Sequence, residues 1–349
     1  MINNSFFSTE ILRWFRENGR DLPWREIKDP YAIWLSEIIL QQTRIAQGWE
    51  YWERFVQTYP KVEDLAAASE DDVLKLWQGL GYYSRARNLH TAAKQIVALG
   101  AFPNTLEGIK SLKGVGDYTA AAIGSFAFDI PAAVVDGNVY RVLSRYFGID
   151  TPINSTQGKK EFAALAQSLL PASDAASYNQ GMMDFGAIQC TPQSPKCLLC
   201  PLAETCEALR CGRVEELPVK NKTVKVKTRH LSYIYIRCKS SAADDTGKSE
   251  PMVAIHRRGE GDIWQGLWEP YNVSDVKELP SFVKNPILLA KDVKHVLTHR
   301  ILLADFYLLE TESRPPLPDD YIWIRESEIE DYGVPRLIEI MLEKINPAE

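Results

Sequence analysis

The sequence predicts two domains, an all-helical domain over residues 1–212 and a mixed α/β domain over residues 230–349. In the first part, apolar residues recur at spacings of three and four, which is the period of an amphipathic helix. In the second part, short runs rich in β-branched and aromatic residues, such as YIWIR at 321–325, are typical of strands. Four closely spaced cysteines near the end of the first domain predict a metal site there.

Length and charge agree with a globular protein. The chain has 349 residues, which is enough for two domains of ordinary size. It has neither an apolar run of membrane-spanning length nor a signal-type N-terminus, so we expect a cytoplasmic protein. The net charge of −6 does not favour nucleic acid as a partner, but it does not exclude one. Residues 213–230 carry six Lys or Arg against two Asp or Glu, so the connector at 213–229 is basic.

A glycine turn lies between two of the predicted helices. In the sequence SLKGVGDYTA, Gly114 and Gly116 can adopt backbone angles that are closed to other residues. The backbone N–H groups of such a turn, and of the helix that follows it, can bind an anion such as a DNA phosphate. A plain tight turn between packed helices is the alternative.

Two carboxylates are candidates for acid–base chemistry. Glu37 lies in WLSEIILQQTR among apolar helical neighbours, and an apolar setting raises a carboxyl pKa as a general acid requires. Asp136 opens VDGNVYRVL directly before a helix. A neutral carboxylic acid beside an ionised carboxylate is the arrangement that breaks glycosidic bonds. The alternatives are a Glu37 exposed at its helix edge and an Asp136 that only caps its helix.

The cysteine cluster has an unusual spacing. Cys190, Cys197, Cys200 and Cys206 are separated by six, two and five residues. One tight cluster in a long chain without a signal is typical of a metal site rather than a disulfide framework. Four thiolates from one short segment bind either zinc or an iron–sulfur cube, and residue chemistry leaves both open. A zinc protein would be colourless, and an iron–sulfur protein would be yellow-brown.

The segment QGLGYYSRARNL combines glycines, aromatic residues and cations. Leu80 and Tyr82 stand beside Arg85 in a turn that the glycines loosen. Apolar or aromatic wedges with nearby cations suit the opening of a base stack. A capped helix–helix turn with buried tyrosines is the alternative.

Together, LKGVGDYTA, VDGNVYRV and the cysteine spacing resemble the iron–sulfur branch of the helix–hairpin–helix DNA glycosylase superfamily. With SEIILQQT, LPWR and a second α/β domain, the chain resembles the MutY-type adenine DNA glycosylases. The resemblance implies an all-α helix–hairpin–helix glycosylase domain with a 4Fe–4S subdomain, followed by an α/β Nudix-like domain. It implies a monofunctional base-excision repair enzyme that hydrolyses the N-glycosidic bond of adenine paired with 8-oxoguanine or guanine. The implied partner is double-stranded DNA, bound by a monomer.

The same resemblance implies roles for individual residues. Glu37 would protonate the adenine ring, Asp136 would stabilise the sugar cation, and Tyr118 and Asn138 would support them. Tyr118 stands where bifunctional relatives carry a lysine that forms a Schiff base, so water is the expected nucleophile. The four clustered cysteines would bind the 4Fe–4S cluster. The implied DNA- and base-binding residues are Arg25, Gln42, Thr43, Leu80, Tyr82, Arg85, Gly114, Gly116, Asp184, Leu297, Thr298 and His299.

Three features depart from the family pattern. Asp184 stands where relatives usually carry a longer glutamate that faces adenine. Leu297, Thr298 and His299 replace the Phe-Ser-His loop that inspects 8-oxoguanine, so the hydroxyl and imidazole are kept without the aromatic ring. In the second domain IWQGLWEP resembles a Nudix fold, but no glutamate-rich metal-binding helix follows it. We therefore expect no pyrophosphatase activity.

Two rival functions remain. A mismatch thymine glycosylase of the same branch also carries a tyrosine at the hairpin and the cluster, but typically lacks the second domain. A non-catalytic binder of DNA lesions would use the two carboxylates only as cap and surface residues. Release of adenine from a duplex that pairs it with 8-oxoguanine would separate all three.

Overall fold

In a computed structural model the chain forms helices first and a β-sheet afterwards, as the sequence predicts. Most of the polar loop expected at 239–251 and part of the basic connector at 213–229 lie outside the described residues. The residues that the structure describes are 4–221, 226–239, 250–274 and 279–346.

The contacts between Cα atoms divide the chain into two compact units. The first unit comprises Met1–Ala66 and Thr91–Lys222, and the second comprises Ala67–His90 and Thr223–Glu349. The second unit therefore joins a short helical segment to the C-terminal part of the chain. The boundaries at 212 and 230 stay predictions.

Helices fill the chain up to residue 210. In the part of the chain described here, none is long and apolar enough to cross a bilayer. They are α1 (Asn4–Asn18), α2 (Pro30–Ile39), α3 (Ile45–Thr58), α4 (Val62–Ala67), α5 (Glu70–Leu76), α6 (Ser84–Leu99), α7 (Leu106–Lys110), α8 (Asp117–Phe128), α9 (Gly137–Phe147), α10 (Thr156–Leu169), α11 (Ala175–Asp184) and α12 (Glu207–Arg210).

Helix α2 is the central helix of the first unit. It is buried from Tyr31 to Ile39, because its sequence is apolar on nearly every side. Asp29 caps its start by accepting a hydrogen bond from the backbone N–H of Tyr31 at 3.1 Å. Beyond its C-terminus, the Gln41 side-chain amide donates to the Thr119 hydroxyl of α8 at 3.1 Å. These contacts fix the face of α2 that carries Glu37 against α8.

Helices α7 and α8 form the helix–hairpin–helix that the glycine turn predicts. Gly114 has φ of +79°, a left-handed conformation that favours glycine. Gly116 is the N-cap of α8, and no side chain caps this helix start. In the described part of the chain, no atom beyond Gly116 and its two neighbours lies within 4 Å of the position that a Cβ of Gly116 would take. The start of α8 therefore has open space beside Gly116, and an anion-binding turn needs such space.

The second unit contains one six-stranded sheet in the order β4-β5-β1-β3-β2-β6. Strands β1 and β5 pair in parallel along their whole length, and the other neighbouring pairs are antiparallel. Helix α13 covers one face through Leu337, Ile338 and Met341, all fully buried. The elements are β1 (Lys227–Cys238), β2 (Met252–Arg257), β3 (Trp268–Ser274), β4 (Ile287–Val296), β5 (Arg300–Thr311), β6 (Tyr321–Arg325) and α13 (Arg336–Ile345).

This sheet with a covering helix confirms the predicted α/β class of the C-terminal domain. The metal-binding helix of a Nudix hydrolase would follow the GLWEP segment at the start of β3. Residues 279–286, which are described between β3 and β4, form no helix. The lack of pyrophosphatase activity stays a prediction.

Candidate active site

Glu37 is a buried acid in the first unit. Its side chain sits on α2 with 6% of its surface exposed, and its Oε2 accepts a hydrogen bond from the Tyr118 hydroxyl at 3.0 Å. The pKa of Glu37 is raised to about 7, chiefly by burial and also by the nearby charge of Asp136, while the Tyr118 hydrogen bond and the Arg25 charge oppose the shift. Glu37 can therefore be protonated near neutral pH, as a general acid must be.

Tyr118 is hydrogen-bonded to Glu37 and is near enough to Asp136 to sense its charge. It stands in the first turn of α8 and packs beside Ile33 and Phe126. Burial, together with the charges of Glu37 and Asp136, raises its pKa well above the ordinary value. The phenol therefore stays protonated and acts as a hydrogen-bond donor, and the two carboxylates lie close enough for both to affect it.

Asp136 caps helix α9. Its Oδ1 accepts hydrogen bonds from the backbone N–H groups of Asn138 and Val139 at 2.9 and 2.8 Å. Its Oδ2 accepts a hydrogen bond from the Asn138 side-chain amide at 2.7 Å. Burial raises the pKa of Asp136, and these three hydrogen bonds oppose that shift because they favour the charged form. The capping role and a role in the site are therefore compatible, because the cap fixes the carboxylate.

The glycosidase arrangement expected from the sequence can be assembled from these groups. Glu37 is a buried acid with a pKa near neutrality, and Asp136 is a carboxylate that accepts three hydrogen bonds. Both carboxyl groups act on Tyr118. Such a pair can protonate a leaving group and stabilise the cation that it leaves behind. These catalytic roles stay predictions.

Asp184 is engaged by two arginines. It is fully buried, and Arg25 donates to its two oxygens at 2.8 Å each. The backbone N–H and the Nε of Arg20 also donate to it, both at 2.8 Å. Burial alone would raise the pKa of Asp184, but hydrogen bonds from Arg25 and Arg20 outweigh it and lower the pKa. Asp184 therefore orients Arg25, whose charge acts on Glu37.

Gly186 allows the start of α9 to approach a π-helical turn. This turn, Phe185–Gln189, continues α11 towards the first cysteine. A Cβ added at Gly186 would lie 2.5 Å from the Cβ of Asn138, a distance that side chains do not tolerate. Any larger residue there would displace Asn138 and, through it, the Asp136 carboxylate.

The four cysteines of the cluster line one cavity in the first unit. In the part of the chain described, no three His, Cys, Asp or Glu side chains are arranged to hold a single metal ion. A cavity lined by four cysteines suits a 4Fe–4S cluster, which is commonly held by four thiolates. Burial raises the pKa of Cys200 to about 11, so neighbouring thiolates here require bound cations. The donor set therefore fits an iron–sulfur cluster.

Two arginines of α9 connect the cysteine segment to the catalytic end of that helix. Arg141 donates through Nη2 to the Asn138 side-chain oxygen and through Nε to the Cys190 carbonyl, both at 2.8 Å. Arg145 donates to the Thr191 carbonyl at 2.7 Å. Neither residue is among the site residues expected from the sequence. Their signal was the spacing of four in RVLSR, which places two cations on one face of a helix.

The turn at 79–83 and the turn at 297–299 meet inside the second unit. The Tyr82 hydroxyl lies 2.7 Å from the Thr298 hydroxyl. Tyr82 is 52% exposed and has φ of +47°, a strained conformation for a tyrosine. Leu80 is buried, so Tyr82 is the residue of this pair that faces solvent.

Arg85 stabilises the 79–83 turn through hydrogen bonds to its backbone. It is buried and donates to the carbonyls of Leu80 and Gly81 at 3.2 Å each. Burial lowers its pKa to about 10. The expected contact of Arg85 with DNA stays a prediction.

The remaining expected binding residues lie in two turns. Gln42 is exposed with φ of +59°, and Thr43 beside it is half-buried, just after α2. At 297–299 the Leu297 N–H donates to the Arg300 carbonyl at 2.8 Å and closes the turn. Leu297 is half-buried, and His299 is exposed.

Three parts of the chain match known families. Residues 35–171 match the HhH-GPD superfamily of base excision DNA repair proteins. Residues 190–206 match the iron–sulfur binding domain of endonuclease III. Residues 247–344 match the NUDIX domain.

Several curated proteins are similar to this chain. The adenine DNA glycosylase of Buchnera aphidicola subsp. Schizaphis graminum is 31% identical over 355 residues, covering 97% of this chain and 98% of that protein. The adenine DNA glycosylase of Mus musculus is 42% identical over 226 residues, covering 61% of this chain and 44% of that protein.

Solved structures are similar to the helical part. A thermostable thymine-DNA glycosylase is 33% identical, with a TM-score of 0.56 over 60% of this chain and 97% of its own. Endonuclease III in a non-covalent DNA complex shares the fold at 22% identity, with a TM-score of 0.53 over 61% of this chain and 99% of its own. The similarity to the Buchnera protein, in contrast, extends over both units.

Proposed function

The chain belongs to the adenine DNA glycosylase family, and from this premise we propose that it removes adenine paired with 8-oxoguanine or guanine. As a member of that family it is a base-excision repair enzyme that hydrolyses N-glycosidic bonds in DNA and carries a 4Fe–4S cluster. We propose that it is monofunctional, acts as a monomer, and uses Glu37 and Asp136 as its catalytic residues.

One observation carries the catalytic assignment. Glu37 is buried, accepts a hydrogen bond from the protonated phenol of Tyr118, and has a pKa raised to about 7. An isolated surface carboxyl would not be protonated at neutral pH. Tyr118 cannot form a Schiff base, so its place beside Glu37 supports hydrolysis by water.

The proposed reaction keeps atoms and charge in balance. Glu37 transfers its proton to the adenine ring, and the N-glycosidic bond breaks with its electron pair leaving on adenine. The sugar becomes an oxocarbenium-like cation, which the Asp136 carboxylate stabilises. Water adds to the sugar carbon and returns a proton to Glu37, which leaves an abasic site.

In this proposal the 4Fe–4S cluster has a structural role. Cys190, Cys197, Cys200 and Cys206 would hold it, and the bound group would supply metal–thiolate bonds that fold the segment around it. Arg141 and Arg145 connect that segment to the helix that Asp136 caps. We propose that these arginines are positioning residues.

The pH dependence of adenine release tests the acid assignment. The pKa of Glu37 is raised from 4.5 to about 7, so the reactive protonated form dominates below pH 7 and is lost above it. Single-turnover rates should therefore be nearly constant below about pH 6, fall to half near pH 7, and decline about tenfold per pH unit above about pH 8. Rates that stay level up to pH 9, measured with saturating enzyme, would contradict the proposal.

Recognition of 8-oxoguanine is the second part of the proposal. The 79–83 turn and the 297–299 turn are joined by the Tyr82–Thr298 hydrogen bond of 2.7 Å. Both side chains are exposed, so they offer a hydroxyl pair and an aromatic face to an unstacked base. 8-Oxoguanine has an oxygen and an N–H group that guanine lacks, and both can form hydrogen bonds with these hydroxyls.

Thr298→Val provides the test of this assignment. Valine keeps the shape but removes the hydroxyl, so adenine release opposite 8-oxoguanine should slow by about tenfold, as for one lost hydrogen bond at a binding site. Release opposite guanine should be unchanged. Tyr82→Phe removes the same hydrogen bond, so the double variant should add little to either single variant. Equal slowing on both duplexes would contradict the assignment.

A further inference from the structure

The segment 67–90 belongs by its contacts to the C-terminal part of the chain, although it lies within the helical region of the sequence. It contains α5 and the 79–83 turn, which carries the proposed wedge residues Leu80 and Tyr82. We propose that the C-terminal part positions this turn for base extrusion, with Gln78 as the main positioning residue. The proposal rests on the proposed function and adds a role that is independent of lesion reading.

Three polar contacts, which we call the tethers, attach the segment on both sides of the turn. Before the turn, Arg257 pairs with Glu70 at 2.8 Å and with Asp71 at 3.1 Å. After the turn, Arg87 donates to the Gln265 carbonyl at 2.6 Å. The third tether is Gln78, directly before the turn.

Gln78 uses both atoms of its side-chain amide. Its Nε2 donates to the Glu339 carboxylate of α13, and its Oε1 accepts from the Val334 N–H at 3.3 Å. All three residues are buried or half-buried, so water does not readily replace these contacts. A side chain one residue from Gly79 is thus fixed at two points of the C-terminal part.

The turn itself is internally rigid. The Trp77 indole N–H donates to the Gly81 carbonyl at 3.0 Å, and Arg85 donates to the carbonyls of Leu80 and Gly81. These hydrogen bonds hold the turn in a shape in which Gly79, Gly81 and Tyr82 all have positive φ angles. A shift at the tethers would therefore move the whole turn rather than bend it.

The tethers and the lesion-reading turn use different residues. Gln78, Arg87, Val334 and Glu339 are distinct from residues 297–299, whereas Tyr82 contacts Thr298. Extrusion of adenine has to occur opposite guanine as well as opposite 8-oxoguanine. Loss of a tether should consequently slow both reactions equally, whereas loss of the Thr298 hydroxyl should affect one.

The test is a charge swap at the third tether. Gln78→Glu places a carboxylate against Glu339 and should slow single-turnover release by about tenfold on both duplexes. Glu339→Gln alone should be near wild type, because its amide oxygen still accepts from Gln78. In the double variant the new amide donates to the new carboxylate, which still accepts from Val334, so the rate should recover. With 2-aminopurine in place of adenine, the fluorescence rise on unstacking should fall and recover in parallel.

Several outcomes would overturn the proposal. These are wild-type rates for Gln78→Glu on both duplexes, slowing only opposite 8-oxoguanine, or no recovery in the double variant. If Gln78→Glu does not fold, Gln78→Ala removes both hydrogen bonds without adding charge and should again slow both reactions equally. If the wild type does not distinguish 8-oxoguanine from guanine, the proposed specificity fails while the tether result remains interpretable.

Discussion

Glu37→Gln is expected to slow adenine release by about 10²–10⁴-fold, the range that general acid catalysis supplies, and to stabilise the protein at pH 8. Glutamine keeps the size of the side chain and can still accept the hydrogen bond from Tyr118. It cannot donate a proton to a purine. DNA binding, measured by gel shift on the same duplex, should change little, because the folded site is preserved.

The stability effect follows from the same pKa shift. The pKa of Glu37 is about 7 in the folded protein and 4.5 in the unfolded chain. Between pH 4.5 and pH 7, Glu37 is therefore mostly ionised in the unfolded chain and mostly protonated in the folded protein. The free energy of unfolding therefore falls by about 3 kcal/mol as the pH rises from 4.5 to beyond 7. The glutamine variant lacks this loss, so its advantage should be present at pH 8 and absent at pH 4.5.

Chemical denaturation at the two pH values measures this difference. Glu50→Gln is a suitable control, because Glu50 is an exposed residue of α3 and has the same change in charge. The control should show neither slower release nor a pH-dependent gain in stability. If Glu37→Gln cleaves at near wild-type rate, the acid assignment is wrong, whatever its stability.

Asp136→Asn is expected to reduce the single-turnover rate by about 10²–10³-fold, the usual effect of removing one preorganised electrostatic group. Asparagine is also a good N-cap, so its oxygen can keep the two hydrogen bonds from the start of α9. Its amide group, however, would face the Asn138 amide, which now donates to the carboxylate. A stability loss of only about 1 kcal/mol is expected from that mismatch.

The control for this variant is Asp29→Asn, which makes the same change at the N-cap of α2. Activity should be retained there, since Asp29 is not part of the proposed site. A large rate loss with little loss of stability in Asp136→Asn, together with a retained rate in Asp29→Asn, would separate catalysis from capping. Near wild-type release by Asp136→Asn would leave the residue with its capping role alone.

The local setting of the two carboxylates could be predicted from the sequence, because local pattern determines it. Glu37 has apolar neighbours on a helix that turns out to be buried throughout, and that burial is what raises its pKa. For Asp136, the cap and the catalytic interpretations looked like alternatives in sequence. The structure shows that the cap holds the carboxylate in place, so one does not exclude the other.

Contacts between distant parts of the chain could not be found in this way. Tyr118 and Glu37 are 81 residues apart, and Tyr82 and Thr298 are 216 apart. Asp184 stands at the place of the family's adenine-facing glutamate, and arginines about 160 residues earlier engage its carboxylate. Periodicity reports which face of one element is buried, not which other element covers it. Such pairings depend on tertiary packing.

The joining of segment 67–90 to the C-terminal part has a consequence for synthesis of the protein. During translation this segment emerges long before its partners between Arg257 and Glu339, and at about 5–20 residues per second the delay is tens of seconds. Until then its half-buried side chains lack their partners in the later part of the second unit. Ribosome-bound chains halted after residue 222 should therefore be cut by protease within this segment, whereas completed chains should resist there. The 79–83 turn, which carries the proposed wedge residues Leu80 and Tyr82, would therefore reach its folded position only after nearly the whole chain has been synthesised.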